Sequence, residues 1–405
     1  MPLASSSAVQ VRVIKETVFG TTPVAGNPND LRVTGESLNF DISKESSKEI
    51  NSTRAVSSAV PVSANASGAL NFEFSYNEYD PLLESVLQSA YTVFGTAGVG
   101  ATFIGTFTAT TITASVATTG ANLFTLLKPG QWFRLVAPSN ANDGKILRNS
   151  LTVAPTSTVI TLDTNTPAVV AATIAGCTIA TSRLTHGTTQ TSWTIERNDV
   201  DITQFMAYKG MTPSKLSLNL ASGSLTTGSI DFMGKNGVAA AVTAMPGSPV
   251  ASKAFDIHSG VGGATSAVWL DGVPIAGTYV KSAALSFDNA LRSQEAIGNL
   301  GAVAIGSGTI NATAQLSVYF ADSTLFAKFL ANTNISMIFS STDAAGNGYI
   351  ITLPKCNIAS YKTNAGGKDQ DMMLDLSLNL LLDNGNADAT LRKLIFIDRI
   401  GVACP

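Results

Sequence analysis

With 405 residues the chain can support two or three cores, and only 13% of it is charged against 45% hydrophobic. A formal net charge of −3 excludes a sticky nucleic-acid binder, which needs a basic stripe to neutralise phosphates, though not a surface that DNA slides past. Cys177, Cys356 and Cys404 are far apart and His186 and His258 stand alone, so neither a disulfide framework nor a Cys/His zinc spacing is present, and free buried thiols from a reducing cytosol are expected.

The N-terminus, MPLASSSAVQVRVIKE, lacks the apolar stretch of a secretion signal, and no later apolar run approaches a membrane span. Synthesis in a cytoplasm and no membrane partner are the expectations. Residues 1–30 read as an extended arm: Val9, Val11 and Val13 alternate with polar residues, and GTTPVAGNPND follows, full of turn formers. Such an arm either adds a strand to a sheet edge or reaches a neighbour.

Residues 31–95 open the first structural half. Leu38, Phe40 and Ile42 alternate with Asn39, Asp41 and Ser43; Leu70, Phe72, Phe74 and Tyr76 alternate with Asn71, Glu73 and Ser75. A period of two with one apolar face marks half-buried antiparallel strands. Asp80-Pro81 then opens a short helix, with the carboxylate expected as N-cap. Residues 96–187 read as an inserted small β domain, with a turn at Lys128-Pro129-Gly130-Gln131 and a tight hairpin at Asn142-Asp143-Gly144. Its compact part is expected around 118–185. The first half resumes over 188–237, and 238–278, rich in Ala, Gly, Ser and Pro, reads as a linker with a strand near Val268 to Leu270. Residues 279–405 form the second half. Their apolar end, LRKLIFIDRIGVACP, must dock in a sheet, its own or a neighbour's.

The second half repeats the first. Leu285, Phe287 and Asp288 take the places of Leu38, Phe40 and Asp41, while Leu316, Val318 and Phe320 take those of Leu70, Phe72 and Phe74, with a helix following from about Thr324. Residues 191–236 likewise match 335–384 strand for strand. The insertion has no counterpart.

Catalytic and cofactor motifs are missing from the pattern: no Gly-x-Ser-x-Gly, P-loop, H-E-x-x-H or EF-hand spacing occurs. GVGGAT at 260–265 lacks the flanking strand and helix of a phosphate loop and reads as a flexible linker. Asp369 and Asp371 lack further oxygen ligands for a cation, and Glu73 with Glu78 has no positioned partner for acid–base work. Trp132, Trp193 and Trp269 are expected in cores. No catalytic, cofactor or metal site is expected. The polar strand faces carry Asn39, Asp41, Asn71, Glu73, Ser286, Asp288, Gln315 and Ser317, with almost no Lys or Arg. These suit an ordinary sandwich exterior or, more sharply, a wet and mildly acidic channel wall that repels phosphates.

The segments VFGTTPVAGNPNDLRVTGESLNFD, KEINSTRAV, GALNFEFSYNEYDPLLESVL and LSFDNALRSQEAIGNLGAVAIGSGTINATAQLSVYF resemble the major tail tube proteins of long-tailed, siphovirus-type bacteriophages. So do TLPK and GGKDQDMMLDLSL near the C-terminus. The resemblance covers most of both halves and departs from the family at the insertion. It implies an all-β fold with minor α: a duplicated tail-tube β-sandwich or barrel, each half flanked by one short helix, plus the inserted small β-barrel. It also implies rings that stack into a hollow tube in the virion tail, the lumen holding a tape-measure protein and later passing DNA without specific binding, with tail-end proteins at its ends. Two tube folds per chain would give trimeric, pseudo-sixfold rings, with hexamers the fallback. The long charged connections supply the candidates for ring-to-ring contacts: Lys44, Glu45, Lys48, Glu49 and Arg54 in one half, Arg292 and Glu295 in the other. The alternative is a baseplate, fibre or surface-binding β-protein, which its 7% aromatic content disfavours.

Overall fold

Alternating side chains make sheets, and two unusually long strands decide how those sheets stack. The structure, a computed structural model, describes residues 3–93, 102–115, 124–260, 268–274, 280–321 and 323–401. In chain order its elements begin with β1 (Val9–Lys15), β2 (Asn29–Leu31), β3 (Gly35–Glu36), β4 (Asn39–Ser46), β5 (Ala59–Glu73), α1 (Asp80–Val86) and β6 (Thr92–Val93). The inserted stretch holds β7 (Phe103–Phe107), β8 (Thr111–Ala114), β9 (Trp132–Val136), β10 (Ile146–Arg148), β11 (Val159–Thr161) and β12 (Ala172–Ala180). After it come β13 (Ser182–Thr185), β14 (Trp193–Asp199), β15 (Gln204–Ala221), β16 (Thr227–Gly234), β17 (Asn236–Ala240), β18 (Val268–Leu270) and β19 (Val273–Pro274). The last part contains β20 (Val280–Asp288), β21 (Arg292–Gln294), β22 (Ala304–Gly306), β23 (Asn311–Tyr319), α2 (Thr324–Leu330), β24 (Ile335–Thr342), β25 (Gly348–Ala365), β26 (Met372–Leu380) and β27 (Phe396–Ile400).

Strands β15 and β25 are each 18 residues long and serve two layers. The first part of β15 pairs with β14 and β17, its second part with β16. Likewise β25 pairs first with β24 and β27, then with β26. Each carries a bulge at the change of layer, Pro213/Lys215 in one and Ile358/Ser360 in the other. A bulge leaves one residue unpaired and adds local twist, which lets a single strand leave one sheet for the next.

Along the shared sheet the order is β4–β5–β16–β15–β20–β23–β26–β25, all antiparallel. The last four strands repeat the first four. Register repeats as well: Ile230 opposes Leu70 as Leu376 opposes Leu316, and Phe40 opposes Ala66 as Phe287 opposes Ala312. The halves join where β15 pairs with β20, Lys215 to Ala221 against Asp288 to Ser282, giving one half-barrel. Leu70, Phe72, Leu216, Ile230, Phe287 and Leu316 lie in a single core beneath it. The fold is therefore the duplicated all-β architecture with two short helices that the sequence predicts.

Two local expectations are corrected. Asp80 does not cap α1: Tyr79 holds the N-cap position without a side-chain bond, and Asp80 sits buried in the first helical turn. Its carboxylate accepts hydrogen bonds from Arg399 Nη1 and the Tyr349 hydroxyl instead. A buried carboxylate is stabilised more by a cation and a phenol from the other half than by a helix amide. Strand β4 is also less buried than its alternation implies. Leu38 is buried and Phe40 half-buried, but Ile42 is 39% exposed, because β4 and β5 run on as a hairpin beyond the layer that covers them.

The insertion forms a six-stranded sheet, β10–β9–β12–β7–β8–β11. An Asn149–Leu162 bridge, flanked by Ser150 N–H to Thr161 O at 2.8 Å and Asp163 N–H to Arg148 O at 2.9 Å, closes it into a barrel. Phe103, Phe107, Phe124 and Phe133 fill its centre. The Thr/Gly run that forms β7 and β8 belongs to this barrel, so its compact part starts earlier than position 118. The barrel is seated on the body through Trp132 and Ile146, which pack against Trp269, Ile338, Ile350 and Ile400.

The first and last strands both lie in the protein's own sheets. β1 pairs with β14 and β2, burying Val11 and Val13, so residues 9–15 are a sheet strand rather than a reaching arm. β27 is held between β25 and β13. Within 238–278, β18 extends the second half's sheet by pairing with β24. Cys177 and Cys356 are buried thiols, whereas Cys404 and residues 261–265 of the glycine-rich stretch lie outside the described residues.

Candidate functional site: a polar sheet face and two open edges

Strand alternation places every candidate wall residue on the face of the half-barrel opposite its core. Asn71, Ser286 and Gln315 line a shallow depression of about 490 Å³ together with Lys215, Ser217 and Asn219. Asn39 and Asp41 continue this face on β4, Glu73 on β5, Asp288 on β20 and Ser317 on β23. All of them are exposed or half-exposed. Lys215, Ser217, Asn219 and Asp231 on β15 and β16, and Lys362 and Asp375 on β25 and β26, share this face without having been expected there. The signal was present in KLSLNLAS, where Leu216, Leu218 and Leu220 alternate with these polar residues.

The face is mildly acidic and internally buffered. Asp41, Glu73, Asp231, Asp288 and Asp375 are set against Lys215 and Lys362, so this sheet carries more basic residues than the sequence reading allowed for. Lys215 lies opposite Asp231 on one side and Asp288 on the other. Partial burial raises the Asp231 carboxyl pKa, Lys215 pulls it back down, and Asp288 raises it. Ser317 Oγ donates to Asp375 Oδ1 at 2.8 Å. A surface of short amides, hydroxyls and carboxylates hydrates well and repels a polyanion without binding it.

The other groups singled out in the sequence are not brought together among the described residues. Glu73 lies on the polar face, while the Glu78 carboxylate is buried and accepts from Arg32 N–H at 3.1 Å and Lys253 N–H at 2.6 Å, so the two do not act together. Asp369 and Asp371 are exposed. Among the described residues no three His, Cys, Asp or Glu side chains group as metal ligands. His258 is buried beside Phe74, its Nδ1 3.1 Å from Ser341 Oγ, and burial lowers its pKa to about 4. Trp132, Trp193 and Trp269 are all buried.

The contact candidates lie on two projecting connections. Lys44 and Glu45 sit in β4, Lys48, Glu49 and Arg54 in the loop to β5, and Arg292 and Glu295 in and after β21. All are exposed, and none takes part in the ion pairs found among the described residues. Apolar side chains stand bare beside them: Ile50 and Ile297 are fully exposed and Val56 is 67% exposed. The connections touch at their bases, where Ala64 N–H donates to Leu300 O at 2.7 Å. Two sheet edges are also open among the described residues. One is the edge of β25 away from β26, after Asn357; the other is the edge of β4 away from β5. Unpaired edges of this length are templates for another chain.

No described helix is long and apolar enough to cross a membrane. A family model described as phage tail tube protein matches residues 6–380 of this chain. No curated protein matches it.

Proposed function

From the premise that the chain belongs to the phage tail tube protein family, a structural component of the virion tail that assembles with itself, we propose that three copies close into one ring. Rings then stack into a hollow conduit for genome delivery. The observation that carries this reading is the doubled strand order, which ends in two open edges. Three such chains supply six equivalent four-stranded units, a pseudo-sixfold ring with no bare edge.

In this ring the polar face turns inward. Asn39, Asp41, Asn71, Glu73, Ser286, Asp288, Gln315 and Ser317, with Lys215 and Lys362, would line the lumen. Their hydration and net negative charge let DNA pass without sticking. The connections bearing Lys44, Glu45, Lys48, Glu49, Arg54, Arg292 and Glu295 reach toward the next ring. At roughly 3.3 Å per residue the eight residues of β4 span about 26 Å, enough to reach toward a neighbouring ring. During assembly the lumen holds a tape-measure protein, and tail-end proteins close the tube. Synthesis in the host cytoplasm precedes incorporation into the tail.

Native mass measurement of purified rings, or symmetry analysis of images of the tube, tests the stoichiometry. Three chains per ring are expected. Six chains per ring would refute the trimer.

A further inference from the structure

We infer that the seam between neighbouring chains in the ring is β25 of one copy against β4 of the next, in the register that β15 and β20 already use inside the chain. This rests on the ring reading above and adds its atomic register. The internal repeat supplies the register. Leu216 opposes Ile230 just past the Pro213/Lys215 bulge, and Tyr361 opposes Leu376 just past the Ile358/Ser360 bulge. Tyr361 therefore stands where Leu216 stands, Lys362 where Ser217 does, and Asn364 where Asn219 does. On the other side Phe40 and Asn39 are the counterparts of Phe287 and Ser286. Inside the chain Leu216 opposes Phe287, Ser217 opposes Ser286 and Asn219 opposes Ala284. The seam then sets Tyr361 against Phe40, Lys362 against Asn39 and Asn364 against Ser37.

Side-chain chemistry fits this register. Tyr361, which packs on Phe326 and Phe329 of α2, and Phe40 are each half-buried in one chain, and the seam adds a cross-strand aromatic contact between them. Lys362 opposes Asp375 within its own chain, and the seam brings Asp41 of the next copy diagonally to its other side. Inside the chain the charge cluster sits two positions earlier, where Lys215, the counterpart of Ser360, lies directly between Asp231 and Asp288.

The two helices give an independent reason to expect a second copy there. In α1, Leu82 and Val86 are 2% and 0% exposed, whereas their positional counterparts in α2, Phe326 and Leu330, are 41% and 69% exposed. Part of the cover on α1 comes from the second half: Asn289, the residue after β20, donates its side-chain amide to Val86 O at 2.7 Å. The matching position on β4 is Ile42, itself 39% exposed. Across the seam Ile42 comes to lie over Leu330, so two bare aliphatic side chains cover each other.

Paired cysteines test the register. In a Cys404→Ser background, Lys362→Cys with Asn39→Cys should join chains within isolated rings under mild oxidation. The joining should be roughly tenfold faster than for the displaced pair Lys362→Cys with Ser43→Cys, because a disulfide forms only across a narrow Cα separation. Ser217→Cys with Ser286→Cys, the internal equivalent, should close within one chain. Should the first pair not fold, Asn364→Cys with Ser37→Cys carries the same expectation. Rings that link only through the displaced pair, or through neither while the internal pair closes, overturn the seam and leave the ring standing. Absence of rings from the unsubstituted chain overturns the reading beneath it.

Discussion

Asp398→Ala probes how firmly the inserted barrel is fused to the body. Asp398 and Arg183 face each other across the β13–β27 pair with 0% and 5% side-chain exposure. The guanidinium donates to both carboxylate oxygens, at 2.6 and 2.7 Å, and Trp132 N–H from the barrel donates to Oδ2 at 3.1 Å. Removing the carboxylate strands a buried cation, to which Gly130 O at 3.1 Å and the Phe396 ring are the remaining partners. It also leaves the Trp132 amide unsatisfied. Breaking a buried pair from one side costs about 3–5 kcal/mol, whereas replacing both members by apolar groups is often near neutral. Urea unfolding of the unassembled chain, followed by tryptophan fluorescence, should show that loss for Asp398→Ala. The double variant Arg183→Met with Asp398→Leu should recover more than half of it. A single-variant loss below about 1 kcal/mol would refute the argument, since that is the size of an exposed ion pair.

Two other outcomes follow from the same geometry. Glu45→Lys with Glu49→Lys should leave monomer stability within about 0.5 kcal/mol of the parent, both sites being exposed, yet impair tube growth in sedimentation and microscopy; normal tubes would count against these connections as ring contacts. Burial holds the folded-state pKa of His258 at about 4 against 6.5 when unfolded. The unfolded chain takes up its proton first, so stability falls as pH drops from 6.5 towards 4, by roughly 3 kcal/mol over that window. Isotope-edited titration of its imidazole should find a midpoint near 4; titration above 6 would show that the ring is not packed as described.

Much of this protein is written in local pattern. The alternation of Leu70, Phe72 and Phe74 with Asn71 and Glu73, and its echo in Leu316 and Val318, fixes strand faces because successive side chains point to opposite sides. From that alone come the all-β fold, the duplication and the polar face, while Asp80-Pro81 and its repeat position near Thr324 mark the two helices. Partnership could not be read in the same way. That Asp80 would leave its helix amide for Arg399 and Tyr349, that Val9–Lys15 would pair with β14, and that β15 would meet β20 all depend on contacts between residues far apart in the chain. Periodicity tells a strand which face to bury but not which edge it will find, because every backbone offers the same donors and acceptors. Only the closed packing of both halves decides those pairs, and among the described residues it leaves one edge of β4 and one edge of the later part of β25 without a partner strand.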